Sequence, residues 1–562
     1  MKKRIPALIA IVLILVIGII AFGGKVIDRI TYSKERADLN EYFSITAAEQ
    51  TAIILQDEII EEKAIVKDGV YYFDLATVHK YFSERFYADT AEGLVIFTTP
   101  TEIIKTVIGS DTYSVDGQAS QEAYIISYME GEQVYLAADY VKKYVNFSYE
   151  VFTEPNRMQV YTAWGEQLIT TANKNTAVRY RGGIKSEILT DVSEGTELIV
   201  LEEMEKWAKV KTKDGFIGYV ERKRLNDISV INQTPVTDYE EPEYTALTKD
   251  TPICLGWHVV GGVAGNDTLR EVTAGTKGLN VISPTWFKLS DNTGGVSSFA
   301  TKAYVDQAHG MGLEVWGLID DFSYDVDSYQ ILSSTTAREK IVQTLMSEAV
   351  ATGMDGINVD FEDIGVDAGE HFSQFLRELS VACRLNGLVL SVDNYVPFHF
   401  NDYYNRKEQG IVADYVIIMG YDEHWHGSGE PGSVASIGYV SSGIEKTLEE
   451  VPANKIINAV PFYSIVWKTE GTEVTDEYVV MSAVTDYVNN MGMTIEWDEE
   501  TCQNYATKQD GEVLYQIWME DEASLEVKLN VMKTFNIGGV AAWRLGYETK
   551  GAWDLISQYV LR

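Results

Sequence analysis

The chain has 562 residues, of which 46% are hydrophobic and 23% are charged, values typical of a globular protein too long for one core. Its formal net charge of −38 at pH 7 argues against binding to nucleic acid, which requires a basic surface. The widely spaced cysteines Cys254, Cys383 and Cys502 include no CxxC pair, so neither a disulfide framework nor a zinc site is predicted.

The N-terminus predicts a membrane anchor. Three basic residues, Lys2 to Arg4, precede an uncharged apolar run from Ile5 to Phe22, which is close to the length that crosses a bilayer. The basic flank should stay in the cytoplasm, which leaves everything after Lys25 outside. We therefore expect residues 1–31 to be a signal anchor of a single-pass cell-membrane protein. Cleavage near Ala21 to Gly24, which would release a secreted protein, is the alternative.

Residues 32–63 are polar and charge-rich and are predicted to form a stalk, and residues 64–164 contain a weak internal repeat. Val70–Ala76 and the sequence from Val134 to Ala138 are related at an offset of roughly 63 residues. Each unit is predicted as a strand, a short helix and a strand pair. The region resembles the small α+β domain at the N-terminus of some copper amine oxidases and in bacterial envelope proteins. It contains the single histidine His79, so no copper site is indicated, and we interpret it as a spacer or wall-contact module.

Residues 165–228 have short predicted strands separated by glycine turns. The elements from Trp207 to Val210, Asp214-Gly215, and Gly218 to Val220 together resemble a bacterial SH3 domain. The resemblance implies contact with the cell wall through exposed aromatic rings. A position of Trp207 and Tyr219 in the core of a small barrel is the alternative. Residues 229–250 are polar, contain proline and are predicted to form a linker.

Residues 251–562 alternate apolar strands with amphipathic helices, which is typical of a parallel sheet in an α/β fold. Eight strands over this length predict a (β/α)8 TIM barrel. The predicted strands are Ile253–Val259, Leu279–Pro284, Leu313–Ile319, Gly356–Phe361, Leu388–Asp393, Tyr415–Met419, Ile456–Pro461 and Gly538–Trp543. The predicted helices are Phe299–His309, Ala337–Ala351, Glu370–Leu385 and Ser524–Phe535. The segment Thr469–Tyr515 is too long for a simple connection and is predicted to be a small inserted subdomain.

The fourth predicted strand carries the strongest functional signal. Side chains alternate along a strand, so Asn358, Asp360 and Glu362 share one face while apolar residues occupy the other. Neighbouring acids raise one another's pKa, which keeps a carboxyl protonated for general acid catalysis. A solvated acidic edge strand is the simpler alternative. Candidate residues at the other strand ends are Trp257, Trp286, Asp320, Met419, Tyr421, Asp422, Tyr463 and Trp543. Carboxylates among aromatic rings suit a sugar substrate.

The barrel resembles the family 18 glycoside hydrolases. The family signature Asp-Gly-x-Asp-x-Asp-x-Glu falls on Asp355 to Glu362, and the family's Met-x-Tyr-Asp element falls on Met419 to Asp422. Trp543 is a further mark of the family. Asn358 stands where chitinases carry the first inner aspartate, and this departure is similar to the spore-cortex and cell-wall branch. The amide removes a carboxylate that would share a proton with Asp360. It cannot titrate but can still hydrogen-bond Asp360, so we expect a shifted pH optimum and no loss of function.

The resemblance implies substrate-assisted retaining catalysis through an oxazolinium ion. Glu362 would be the proton donor, Asp360 would orient the substrate acetamide, and Tyr421 would hydrogen-bond the acetamide carbonyl. The predicted substrate-binding residues are Asn358, Met419, Asp422, Trp543, Trp257 and Tyr463. No cofactor is expected. The pair His424 and His426 alone does not predict a metal site.

The sequence as a whole predicts a membrane-anchored extracellular N-acetylglucosaminidase acting on peptidoglycan. The expected partners are an N-acetylglucosamine-containing polysaccharide, the cell wall through the SH3-like region and the membrane through the N-terminal helix. A chitinase is the alternative within the same chemistry. A non-catalytic, lectin-like barrel at the envelope is the alternative outside it, and the presence of Glu362 argues against this.

Overall fold

The computed structural model describes residues 11–14, 16–17, 29 and 31–561. Most of the predicted anchor, Ile5 to Phe22, lies outside the described residues, so the anchor stays a prediction. Within the described part of the chain, no helix is both long and apolar enough to cross a membrane. Two compact units are distinguished: one runs to Phe86 and includes Thr106–Tyr113 and Ala119–Glu241, and the other comprises Tyr87–Lys105, Ser114–Gln118 and Pro242–Arg562.

The first unit contains a seven-stranded sheet built from the repeat region. Its strands are Gln50–Leu55, Glu58–Lys67, Val70–Asp74, Ser127–Glu130, Gln133–Ala137, Ser148–Phe152 and Arg157–Tyr161, and the helices of this region are Leu39–Tyr42, Leu75–Tyr81 and Ala138–Val141. Both repeats run strand, helix, strand. The last strand of the second repeat, Arg157–Tyr161, lies in this sheet. The corresponding strand of the first repeat, Leu94–Thr98, lies in a separate five-stranded sheet. The five strands are Tyr87–Asp89, Leu94–Thr98, Ile103–Val107, Thr112–Val115 and Gln118–Gln121.

The predicted stalk at residues 32–63 is wrong. Gln50–Leu55 lies inside the sheet, paired parallel to Arg157–Tyr161 on one side and antiparallel to Glu58–Lys67 on the other. Ala52, Ile53 and Ile54 are fully or almost fully buried. The acidic residues that follow this short apolar run masked its strand character, because a central strand needs only about five or six residues.

The SH3-like region forms a second seven-stranded sheet in the first unit. Its strands are Glu166–Thr171, Thr176–Arg179, Ile188–Val192, Glu197–Glu203, Trp207–Lys211, Ile217–Glu221 and Ser229–Asn232. The last strand pairs with Glu166–Thr171, so the predicted linker at residues 229–250 begins four residues too early. Trp207 and Tyr219 are each half-buried, which is intermediate between the two alternatives for these rings.

The two sheets of the first unit share one hydrophobic core. Phe43 and Ile54, from the segment predicted as a stalk, pack with Val178 and Phe216 of the SH3-like sheet, and the rings of Phe43 and Phe216 lie 5.4 Å apart. An ion pair of 2.7 Å between Arg157 and Asp214 reinforces this contact. The segment predicted as a stalk therefore contributes to the core of the SH3-like sheet, and the ion pair of Arg157 crosses the boundary predicted at residue 164.

The second unit contains the predicted barrel. Its eight parallel strands are Ile253–His258, Val281–Asp291, Glu314–Asp320, Gly356–Asp360, Val389–Tyr395, Tyr415–Met419, Ile456–Pro461 and Gly539–Trp543. The first strand pairs with both the second and the eighth, which closes the cylinder. The second strand extends beyond its predicted end, because it continues into a hairpin with Gly295–Ser298. The predicted (β/α)8 architecture is confirmed.

Helices cover the outside of the barrel. They are Leu269–Val272, Lys302–His309, Ser328–Ser333, Thr335–Thr352, Gly369–Asn386, Arg406–Val412, Ile437–Leu448, Glu522–Phe535 and Lys550–Val560. The apolar face of the fourth strand packs on this layer, since Phe361 stacks on Phe375 with ring centroids 5.6 Å apart. Asn358 and Asp360 thereby face the barrel interior.

A subdomain is inserted between the seventh and eighth strands. It consists of the helix Met481–Met491 and a sheet of Tyr463–Glu470, Glu473–Val480, Thr494–Asp498, Gln503–Asp510 and Val513–Met519. The insertion is longer than the predicted Thr469–Tyr515 because its first strand, Tyr463–Glu470, follows the seventh barrel strand directly and its last strand continues to Met519. Where the chain returns, Glu520 pairs with Lys528 at 2.9 Å, and both side chains are buried.

Part of the predicted repeat domain belongs to the barrel unit. The segment Tyr87–Lys105 is held there by Asp89, whose carboxylate accepts hydrogen bonds from the backbone N–H and the hydroxyl of Thr335. The hydroxyl of Tyr87 bonds to the imidazole of His371 at 2.7 Å. The predicted domain of residues 64–164 is therefore divided between the two units.

Candidate active site

A cavity of about 220 Å³ opens at the carboxyl ends of the barrel strands. Its lining residues come from six strands or the loops that follow them: Trp257, Phe322, Asp360, Glu362, Asp393, Tyr395, Met419, Tyr421, Asp422 and Trp543. Seven of the nine predicted catalytic and substrate-binding residues are among them. The other two hydrogen-bond to lining residues: Asn358 to Trp257 and Asp393, and Tyr463 to Asp422. In a TIM barrel this end carries the chemistry, so the cavity is the candidate active site.

Glu362 has the properties of a general acid. Burial and the carboxylates of Asp422, Asp321 and Asp320 raise the pKa of Glu362 to about 7, although a hydrogen bond from the Tyr395 hydroxyl lowers it. The backbone N–H of Glu362 donates to Asp321 at 2.9 Å, which fixes the start of the loop that carries the side chain. The group can therefore hold and release a proton near neutral pH.

Asp360 lies deeper, with 5% of its surface exposed. Burial and the carboxylates of Asp393 and Glu362 raise the pKa of Asp360 well above its ordinary value. Its Oδ1 has no hydrogen-bond partner within the described chain, and the same holds for Oδ2 of Asp393. Two buried carboxyl oxygens that line one cavity without donors are costly to ionise together.

Asn358 is fully buried below these acids and uses both ends of its amide. Its Oδ1 accepts from the indole N–H of Trp257 at 2.9 Å and from the hydroxyl of Ser283 at 3.0 Å. Its Nδ2 donates to the hydroxyl of Ser391 at 3.1 Å and to Asp393 Oδ1 at 2.8 Å. Among the described residues Asn358 makes no hydrogen bond to Asp360, which the amide could have formed, and it donates to Asp393 and Ser391 instead.

Asp393 is the residue that the sequence prediction undervalued. It lies inside the fifth strand, Val389–Tyr395, is almost fully buried and has a pKa raised well above its ordinary value by burial and by Glu362. Its position at a strand end was visible in the sequence, but no motif marked it. Its neighbour Asn394 has a structural role instead, since its amide exchanges hydrogen bonds with that of Gln409.

The loop after the sixth strand supplies Tyr421 and Asp422. Burial raises the pKa of Tyr421 well above its usual value, so this phenol stays protonated and can donate a hydrogen bond. Asp422 has a φ of 60° and accepts a hydrogen bond from the hydroxyl of Tyr463. Gly420 precedes them because a side chain there would collide with Asn458 and the Ala459 carbonyl.

The two predicted tryptophans differ in exposure. Trp543 is half-buried at the cavity, and its ring packs edge-on against Trp257 with centroids 5.9 Å apart. Trp257 is 1% exposed and serves mainly to hold Asn358. Trp286 and Asp320, also expected at strand ends, do not line the cavity. Trp286 is buried, and its indole N–H donates to Asn266 at 2.8 Å.

The two histidines considered as a metal site, His424 and His426, have other partners in the protein. Within the described residues, no group of three or more His, Cys, Asp or Glu side chains is arranged to hold a metal ion. His424 bonds to the Glu430 carbonyl at 3.0 Å, and His426 pairs with Asp476. Both histidines lie on the loop after the sixth strand.

Two family models match the chain. Residues 319–548 match the glycosyl hydrolases family 18, and residues 174–226 match the bacterial SH3 domain. The first match covers the catalytic motif and most of the barrel, and the second covers most of the SH3-like sheet. The resemblance of residues 64–164 to the copper amine oxidase N-terminal domain stays a prediction.

Curated relatives agree with these matches. YvbX, an uncharacterised glycosylase of Bacillus subtilis, is 26% identical over 294 residues, which is 50% of this chain and 84% of the relative. The cortical fragment-lytic enzyme of Bacillus anthracis is 29% identical over 250 residues, 42% of this chain and 56% of the enzyme. The chain thus spans little more than half the length of that enzyme.

Solved structures support the fold. The spore cortex-lytic enzyme of Bacillus cereus superimposes with a TM-score of 0.50 at 23% identity, over 56% of this chain and 75% of that one. The solved structure supports the barrel fold, and the family-model match at residues 319–548 together with the glycosylase relatives supports a glycosidase activity for that barrel.

Proposed function

We propose that the protein hydrolyses β-linked N-acetylglucosamine polymers by substrate-assisted retention, and that its substrate is peptidoglycan. The observation that carries the proposal is the pairing of Glu362, protonated up to about pH 7, with the deeper acid Asp360 in one aromatic-lined cavity. A protonated acid above a second carboxyl is what this mechanism requires.

The first step is cleavage of the glycosidic bond. Glu362 transfers its proton to the glycosidic oxygen, while the carbonyl oxygen of the substrate's 2-acetamido group attacks the anomeric carbon. The bond to the leaving sugar breaks, and that sugar departs as an alcohol. Asp360 accepts a hydrogen bond from the acetamide N–H and offsets the positive charge of the oxazolinium ion. Tyr421 donates to the acetamide oxygen before it attacks.

The second step is hydrolysis of the oxazolinium ion. Glu362, now ionised, takes a proton from a water molecule that adds to the anomeric carbon. The bond between that carbon and the acetamide oxygen breaks, which restores the acetamide with net retention of configuration. Trp543 forms the apolar floor against which the sugar ring lies.

Asp393 supplies the second carboxylate of the cavity, in place of the one that an aspartate at position 358 would provide. A single proton shared between Asp360 and Asp393 would satisfy the two oxygens that lack partners, and it would leave one negative charge for the oxazolinium ion. Asn358 positions Asp393 for this role through its hydrogen bond of 2.8 Å. An aspartate at position 358 could not donate that bond unless it were itself protonated.

Peptidoglycan is favoured over chitin by three observations. Asn358 is similar to the cell-wall branch of the family, the chain carries an SH3 domain match, and one relative is named a cortical fragment-lytic enzyme. We propose that the SH3-like sheet contacts the cell wall and that the N-terminal segment anchors the protein to the cell membrane, with the barrel outside. Release after cleavage is the alternative.

Glu362→Gln tests the assignment, because glutamine keeps the shape and removes the proton. The native chain should release new reducing ends from purified sacculi faster than from chitin oligomers, and the variant should release none while keeping its fold by circular dichroism. Faster turnover of chitin oligomers would indicate a chitinase. Binding without turnover on both substrates would indicate a lectin-like barrel, and full activity of the variant would refute the role of Glu362.

A further inference from the structure

A second cavity, of about 750 Å³, lies in the first unit between the repeat-region sheet and the SH3-like sheet. We call it the sheet-junction cleft. The strands Ser148–Phe152 and Arg157–Tyr161 form one wall, and strands of the SH3-like sheet form the other. Its volume is within the range of small-ligand sites, about 300–1,000 Å³. The proposed hydrolysis uses none of its residues.

The walls of the sheet-junction cleft are fixed relative to each other. Lys211 of the SH3-like sheet is fully buried, and its ammonium group reaches Asp57 at 2.7 Å and the Gln56 carbonyl at 2.5 Å in the repeat region. The Arg157–Asp214 ion pair and the shared core around Phe43 join the same two sheets. A preformed cleft loses little conformational freedom on binding, which favours affinity.

Aromatic rings line this cleft. Tyr149, Tyr161 and Trp164 are each half-buried, so part of every ring is available to a ligand. The ammonium group of Lys211 lies 4.7 Å from the ring centre of Tyr161 and holds that ring in place. Rings that are anchored on one side and open on the other suit the apolar faces of pyranose sugars.

The cleft also presents two lysine side chains to a ligand. Of its three lysines, Lys211 is neutralised by Asp57, and Lys142 and Lys213 are matched in number by Glu150 and Glu197, so the cleft is close to neutral in a chain whose net charge is −38. Lys142 makes no ion pair within the described chain, and Lys213 approaches Glu150 only at 3.7 Å with both side chains exposed. Exposed pairs of this kind are weak, so both ammonium groups remain available to an anion.

We propose that the sheet-junction cleft binds a glycan strand that carries carboxylate groups. Trp164 and Tyr149 lie against sugar rings, and Lys142 and Lys213 pair with the carboxylates. A neutral N-acetylglucosamine oligomer has the same sugar rings but no carboxylate groups, so the cleft binds it more weakly than the carboxylate-bearing polymer. This binding involves no bond cleavage and does not depend on the proposed hydrolysis.

Calorimetric titration of the full chain tests the proposal. The protein carries Glu362→Gln so that it cannot degrade the probes, which are a soluble N-acetylmuramic-acid-containing tetrasaccharide and an N-acetylglucosamine tetramer. We expect the carboxylate-bearing probe to bind at two sites per chain. Trp164→Ala should remove one of them or weaken it roughly tenfold or more. Trp497→Ala, which removes an exposed tryptophan from the inserted sheet, is the matched control and should change nothing.

The charge is tested separately with Lys142→Gln and Lys213→Gln, conservative changes at the protein surface that leave the core intact. Each should weaken the carboxylate-bearing probe while leaving the neutral tetramer unaffected. Unchanged stoichiometry in Trp164→Ala, or equal weakening of both probes by the lysine variants, would overturn the proposal. Cleft binding in a native chain that hydrolyses neither probe nor sacculi would reject only the proposed hydrolysis.

Discussion

At the residue scale, the informative position is Asn358. A sequence comparison with chitinases presents it as a loss, because a carboxylate is missing. In this structure Asp393 on the next strand brings a carboxylate to the same cavity, and Asn358 donates a hydrogen bond to it. Asn358 and Asp393 are joined by this hydrogen bond, so the effects of substituting the two residues on activity should not be additive.

The first prediction concerns the shared proton. In Asp393→Asn the buried pair becomes a single carboxylate, so no proton needs to be held between two acids. Infrared spectroscopy at neutral pH, on a Glu362→Gln background, should show the carbonyl stretch of a protonated carboxylic acid in the parent and a loss of that band in Asp393→Asn. Asp367→Asn, a change at an exposed acid, is the control. A band that persists in the Asp393 variant would contradict the shared proton.

The second prediction concerns pH and activity. Glu362 must be protonated to act as the acid, and its pKa is about 7. The value of kcat/KM on sacculi should therefore fall as the pH rises above about 7. Tyr395→Phe removes the hydrogen bond that lowers the pKa of Glu362, so the decline should move to higher pH. A decline at lower pH in this variant would show that Tyr395 acts otherwise.

The third prediction concerns the effect of Glu362 on the free energy of unfolding. The pKa of Glu362 is raised above its unfolded value, so its protonated form favours the folded state at low pH, and this contribution is lost as the pH rises through about 7. Glu362→Gln should therefore be more stable than the native chain at pH 8, by on the order of 1–3 kcal/mol, with little difference at pH 4. Denaturant unfolding at both pH values measures this. Glu496→Gln, at an exposed site, should show no such pH dependence.

At the scale of elements, the sequence predicted the barrel well. All eight strands were placed, because buried parallel strands are continuous apolar runs between amphipathic helices. Boundary differences are small except at the second strand, which continues to Asp291. The strand Gln50–Leu55 was missed because it is a short apolar run followed by acidic residues, and one of its two partners, Arg157–Tyr161, is more than a hundred residues away. The sequence placed Asp393 at a strand end within reach of a substrate, but its hydrogen bond from Asn358 depends on a neighbour on another strand and no local motif reveals it.

The fourth prediction concerns the junction between the inserted subdomain and the barrel. Glu520 is buried there and accepts hydrogen bonds from Lys528, Ser524 and Gln503. Lys528→Met leaves the buried carboxylate of Glu520 without a cation and should cost about 3–5 kcal/mol of unfolding free energy. The double variant with Glu520→Gln should recover much of that loss. Denaturant unfolding of the full chain measures both, and equal losses in the single and double variants would contradict the coupling.

At the scale of the whole molecule, the division of the chain differs from the order of its motifs. The SH3-like sheet and the repeat region share a core, whereas the segment Tyr87–Lys105 belongs to the barrel unit. Sequence motifs mark folds through short local patterns, but a cooperative unit is defined by which side chains are buried together. Phe43, far from the SH3 motif in sequence, is therefore expected to stabilise it.

The fifth prediction tests this shared core. Phe43 is fully buried against Phe216, so Phe43→Ala should cost about 3–5 kcal/mol. Because the core is common to both sheets, hydrogen exchange should accelerate in the strand Trp207–Lys211 as well as in Gln50–Leu55. The barrel strands should keep their protection, since they belong to the other unit. Phe400→Ala, which removes a ring that is 75% exposed, should leave exchange in all three regions unchanged. Faster exchange in Gln50–Leu55 alone would show that the two sheets unfold independently, and the SH3 motif would then be a separate domain after all.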